Sequence, residues 1–233
     1  MKSDAGTGGS SSQAAQAQEA DAPRRRVVVA ATYLTGLIAT ALTLRLAPGD
    51  HRFYPAALGL AAIWGVGALA SGPIPSGVDH TRAEGVRGQI VRSVALGSGL
   101  LAVFLAGAVV VAHVPVLREP VLDLLDHARI GSLPAVLAIT ILNGVVEELY
   151  FRGALHAALP ARRAVVWGTL LYALPAVGTG VPLLVVAALA MGLVTGLQRR
   201  ATGGVLGPII IHITWSAGML LLLPIVLQIS EMP

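Results

Sequence analysis

The chain has 233 residues, 55% of them apolar and only 12% charged, with a mean hydropathy of +0.76. A soluble domain carries about 25% charged residues, so the composition excludes an ordinary water-soluble globule and points to an all-α, polytopic membrane bundle. The formal charge of +4 does not indicate a nucleic-acid partner, because the basic residues stand at the ends of apolar segments, and the absence of cysteine excludes disulfides, thiolate metal sites and a cysteine nucleophile.

Residues 1–26 are rich in Gly, Ser, Ala and Gln and close on Arg24-Arg25-Arg26. So polar a stretch buries little apolar surface to offset the entropy of ordering, and a disordered tail is expected there. No secretory signal is expected, since the basic cluster follows the tail and leads directly into a full-length apolar run. A bilayer core of about 30 Å takes roughly 20 apolar residues in a helix. On that measure spans are expected at 27–44, 54–71, 92–112, 133–157, 164–179, 182–198 and 204–228. Between the third and fourth, Val121, Leu122, Leu124, Leu125 and Ala128 form one helical stripe. Asp123, Asp126, His127 and Arg129 lie mostly opposite, which predicts a short amphipathic helix on the membrane surface. The chain thus divides into the tail (1–26), a first set of transmembrane helices with the surface helix (27–130) and a core (131–230).

With the N-terminus inside, the cytoplasmic segments hold Lys2, Arg24, Arg25, Arg26, Arg82, Arg87, Arg92, Arg162, Arg163, Arg199 and Arg200. The outer segments hold only Arg45, Arg52, Arg118 and Arg129. The positive-inside rule therefore predicts an N-in, C-out orientation.

Between residues 127 and 230 the only acids are Glu147 and Glu148, which interrupt the fourth apolar run. A charge near the middle of a span costs roughly 2.5–3.5 kcal/mol on insertion scales, so two neighbours demand a reason. Arg152, four residues after Glu148, shares its helical face and pairs with it. Glu147 lies about 100° away and faces elsewhere. Like-charge neighbours disfavour double ionisation, so one carboxylate held by Arg and one free to accept a proton suit general-base chemistry. The structural alternative is an ion pair that pins the helix, which accounts for Glu148 and Arg152 but not for Glu147. His212, with Ser216 one turn on, lies in the last span. Counted from the cytoplasmic ends, Glu147 and His212 both stand roughly 12–15 Å deep, at matched depth around one cytosol-facing cavity.

The stretch Glu147-Glu148-Leu-Tyr-Phe-Arg152-Gly153 resembles the first signature of the CPBP intramembrane proteases, the family of the CAAX prenyl endopeptidases and bacteriocin-immunity-like relatives. The run from Gly192 to Gly196, Arg199, Thr202-Gly203 and His212 with Ser216 resembles that family's later helices. The resemblance implies that Glu147 is the general base, Glu148 and Arg152 its supports, and His212 with Ser216 the oxyanion side. It also implies a water-activating His in an F-x-x-x-H motif, where this chain has Leu171-Tyr-Ala-Leu-Pro175. A divalent metal such as zinc is the one cofactor this reading leaves open, and without that imidazole its ligand set falls short. Tyr172, three residues before Pro175, is a candidate stand-in, though packing alone is the reading favoured for it. The expected function is an intramembrane endopeptidase acting on a membrane protein or peptide in a bacterial plasma membrane. The rivals are a catalytically impaired relative that binds a membrane partner and a small transporter.

Overall fold

The computed structural model describes residues 8–47, 49–77, 85–130 and 132–230, and every regular element among them is helical. The elements are α1 (Gly8–Thr43), α2 (Phe53–Ala70), α3 (Gly85–Ala112), α4 (Pro115–Arg129), α5 (Leu133–Glu148), a π-helical turn (Leu149–Leu155), α6 (His156–Ala158), α7 (Ala164–Val177), α8 (Pro182–Thr202) and α9 (Leu206–Ile229). Among the described residues six stretches are long and apolar enough to cross a membrane: Ala22–Thr43, Phe53–Ala70, Gly85–Ala112, Leu133–Ala158, Pro182–Thr202 and Leu206–Ile229. These correspond to six of the seven expected spans. The seventh, α7, has 14 residues, a rise of about 21 Å against a hydrocarbon core of about 30 Å. Outward-facing Leu34, Ile38, Val66, Leu69, Val103 and Val110 are exposed, as side chains that meet lipid must be.

Two local expectations change. Helix α1 begins at Gly8, inside the stretch read as tail, and runs through Pro23 into the first span. Its Ala, Gln and Glu residues are strong helix formers, and an apolar helix already exists downstream for them to extend. Residues 1–7, with Lys2, and 78–84, with Arg82, lie outside the described residues. The described part of the stripe of α4 packs on protein: Leu125 is buried against Ala108 and Leu227, with Val121 and Leu122 beside it. A stripe of that width is satisfied by α3 and α9 as well as by lipid. The side chains of Leu124, His127, Ala128 and Arg129 lie outside the described ones.

Helix α9 packs against α3, α5 and α8; α5 packs in turn on α2, α2 on α1, and α7 on α8. Small residues permit the approaches, as between helices in lipid generally. A Cβ on Gly97 of α3 would stand 2.9 Å from the Ile211 carbonyl oxygen of α9. Helix α8 stops at Gly203, whose φ of 74° is the left-handed cap conformation that glycine adopts without penalty. The chain then turns straight into α9, where the Val205 and Leu206 amides donate to the carbonyls of Pro75 and Ser76 at 3.1 Å. At the same end of the bundle, Arg25 Nε donates to the Ser71 carbonyl at 2.9 Å, and Arg199 Nε to the Arg152 carbonyl at 2.8 Å.

Candidate functional site

The site is built around the π-helical turn, which follows directly on Glu148. Its bonds run to the fifth residue instead of the fourth, a rare geometry found mostly as single turns and often at functional sites. Tyr150, Phe151, Arg152, Gly153, Ala154 and Leu155 are all buried in succession. An aromatic wall encloses them: the Trp64 ring lies 4.6 Å from Tyr150 and 5.1 Å from Phe151. Tyr150 donates its hydroxyl proton to the Val29 carbonyl of α1 at 2.7 Å. On the other side, the bond from Arg199 holds the Arg152 carbonyl, so α8 steadies the turn as well.

The two acids occupy different surroundings. Glu148 is fully buried, at 0% exposure. Its Oε1 accepts from Arg152 Nη1 at 2.9 Å, the pairing expected from the sequence, and also from His212 Nδ1 at 2.8 Å. Glu148 Oε2 and Arg152 Nη2 have no hydrogen-bond partner among the described residues. Glu147 is half-buried, and its Oε2 accepts from the Tyr172 hydroxyl at 3.0 Å. The guanidinium carbon of Arg152 stands 4.4 Å over the Tyr172 ring, a cation–π contact. The Tyr172 and His212 rings meet edge-on at 6.3 Å.

Of the five residues singled out in the sequence, then, Glu147, Glu148, Arg152 and His212 come together on one cluster. Three details differ from expectation. His212 bonds Glu148, not Glu147, because matched depth along two helices does not settle which acid the ring turns towards. Glu147 bonds none of Glu148, Arg152 and His212, yet it is linked to them indirectly, because the Tyr172 ring that reaches it from α7 lies under Arg152. Tyr172 itself does more than pack. Gly144, one turn before Glu148, was not foreseen: a Cβ there would touch the His212 ring at 3.4 Å, so the absent side chain leaves room for the imidazole. The only cue in the sequence was a glycine at that spacing.

Ser216 stands one turn beyond His212, and its Oγ is buried with no hydrogen-bond partner among the described residues. It lines a cavity of about 1140 Å³ between α3, α4, α5, α8 and α9, together with Thr140 and Trp215. This cavity also borders Leu46, Phe53, Asp123 and Thr179, at the bundle end away from the arginine-rich turns. The expected cavity, by contrast, was cytosol-facing and bounded by Glu147 and His212, and neither of these lines the 1140 Å³ space.

Among the described residues no three His, Asp or Glu side chains converge as a metal site requires. Glu148 Oε1 is already engaged by Arg152 and His212. The donor set therefore does not fit a zinc ion.

No curated protein and no solved structure matches the chain. The resemblance read from Glu147-Glu148 and Arg152 does find a counterpart at the level of family, over a stretch that holds all five candidate residues. Residues 129–218 match the family model described as Type II CAAX prenyl endopeptidase Rce1-like, a family of proteases.

Proposed function

We propose that this chain is an intramembrane endopeptidase, oriented N-in and C-out in a bacterial plasma membrane, which hydrolyses a peptide bond of a membrane-associated substrate near the cytoplasmic face. The observation that carries the reading is the division between the two acids. Glu148 is locked at full burial by Arg152 and His212, while Glu147 is half-buried and, among the described residues, is bonded through Oε2 alone, to Tyr172. Paired carboxylates in unlike environments are what acid–base chemistry requires.

In this mechanism Glu147 takes a proton from water as its oxygen bonds to the scissile carbonyl carbon. The tetrahedral intermediate collapses, the C–N bond breaks, and the proton held by Glu147 passes to the leaving amine. Glu148 and Arg152 are supports. His212 turns its Nδ1 to Glu148, and its other ring nitrogen, Nε2, is the donor to the oxyanion. Ser216 Oγ, one turn further along α9 in the neighbouring cavity, is the second donor of that side for a substrate whose carbonyl reaches between the two.

One observation favours a second reading, a relative that binds a partner without cleaving it. Pro175 stands where the family resemblance implies an imidazole, and a proline side chain neither binds water nor accepts a proton.

Proteomics of membranes from otherwise isogenic strains tests the assignment. Replacing Glu147→Gln is expected to leave the protein inserted at wild-type level and to abolish cleavage, so that a membrane precursor accumulates only in the variant. Identical precursor and product levels in the two strains would refute the peptidase and leave the binding protein.

A further inference from the structure

A carboxylate that takes a proton from water works best with one oxygen fixed and the other presented. Glu147 has no salt bridge among the described residues, since the Arg152 guanidinium bonds Glu148. The group that reaches it is neutral: the Tyr172 hydroxyl donates to Oε2 at 3.0 Å, from a different helix and 25 residues along the chain. The ring behind that hydroxyl is held on several sides. Arg152 Cζ stands 4.4 Å over it, the Phe151 ring meets it edge-on at 4.9 Å, and the His212 ring does so at 6.3 Å. A side chain that only filled space would need the ring and not the hydroxyl. Here a clamped ring delivers its one O–H to the one acid that Arg152 and His212 do not bond.

We infer that Tyr172 is a positioning residue for Glu147: its hydroxyl fixes Oε2 and leaves Oε1 to the hydrolytic water, on a ring immobilised by the same arginine that anchors Glu148. The inference rests on the reading of Glu147 as the base. It extends that reading by linking the two acids into one rigid unit, in the order Glu147, Tyr172, Arg152, Glu148, His212. A rigid neutral donor is well suited to the task, because it orients the carboxylate without the full neutralisation that a second cation would bring.

The test uses the full-length protein in detergent and in liposomes, as wild type, Tyr172→Phe and Glu147→Gln. Phenylalanine keeps the ring and its contact with Arg152 and removes only the hydroxyl. Infrared spectroscopy reads the hydrogen bond with no substrate present: the carboxyl band lost in Glu147→Gln is expected to shift in Tyr172→Phe. On the precursor that accumulates in Glu147→Gln membranes, Tyr172→Phe is expected to lower kcat by about 10- to 100-fold, the effect of one lost bond to a charged group, with KM within about twofold. A band that stays in place overturns the inference, whether or not any precursor is found. A shifted band with unchanged kcat overturns it too, because the contact then exists without serving the base. If no precursor accumulates in any strain, the peptidase reading fails, while the infrared result still decides whether Tyr172 holds Glu147.

Discussion

Replacing Arg152→Met is expected to destabilise the protein by about 3–5 kcal/mol, the usual result of removing one partner from a buried ion pair. Arg152 is 2% exposed and Glu148 is at 0%, so water cannot take over the role of the lost cation. Only His212 would remain on Glu148 Oε1, and it carries charge only when protonated. The guanidinium also covers the Tyr172 ring at 4.4 Å, so the substitution loosens the contact to Glu147 as well. Thermal unfolding of the purified protein in detergent measures the loss. The double variant Glu148→Gln/Arg152→Met is expected to recover a large part of it, since the penalty lies chiefly in the stranded charge. If Arg152→Met unfolds at the wild-type temperature, the pair is not what holds the turn in place.

The second large effect is expected from a residue with no side chain. A methyl group added by Gly97→Ala would stand 2.9 Å from the Ile211 carbonyl oxygen, 2.9 Å from Thr214 Cβ and 3.2 Å from Ile211 Cα. Two of these three atoms are backbone, which has no rotamer to give, so α3 and α9 must separate. Overpacking of this kind costs about 1–3 kcal/mol. Ile211 precedes His212, so the shift reaches the imidazole that bonds Glu148 at 2.8 Å. Gly97→Ala is therefore expected to lower both thermal stability and cleavage. Gly99→Ala is the control on the same helix, because a Cβ there meets nothing within 4 Å. Equal stability of the two variants would show that α3 and α9 do not touch at Gly97.

The parts of the molecule legible in the sequence were those set by local spacing. Apolar runs broken by arginine, proline and glycine mark the helices, and the four-residue step from Glu148 to Arg152 marks the ion pair. What the sequence could not show was how neighbouring helices are turned relative to one another. Position along two spans brought Glu147 and His212 to one depth, yet the imidazole faces Glu148. Tyr172 was visible as a candidate, but whether its hydroxyl met an acid or a methyl group depended on the rotation of α7. The inward turn of α4 was hidden for a similar reason: a stripe of Val121, Leu122 and Leu125 looks the same whether lipid or protein covers it. The widened turn at Leu149–Leu155 has no marker in the residues at all.

That wide coil sets a limit on how the motif can be moved or edited. Seven residues hold an uncommon hydrogen-bonding register because Trp64, Val29 and Arg199 press on them from three other helices. The same letters spliced into a lone hydrophobic helix would relax to ordinary winding, and everything downstream of Glu148 would swing to a new bearing. The signature works as a place in an assembly, not as a cassette.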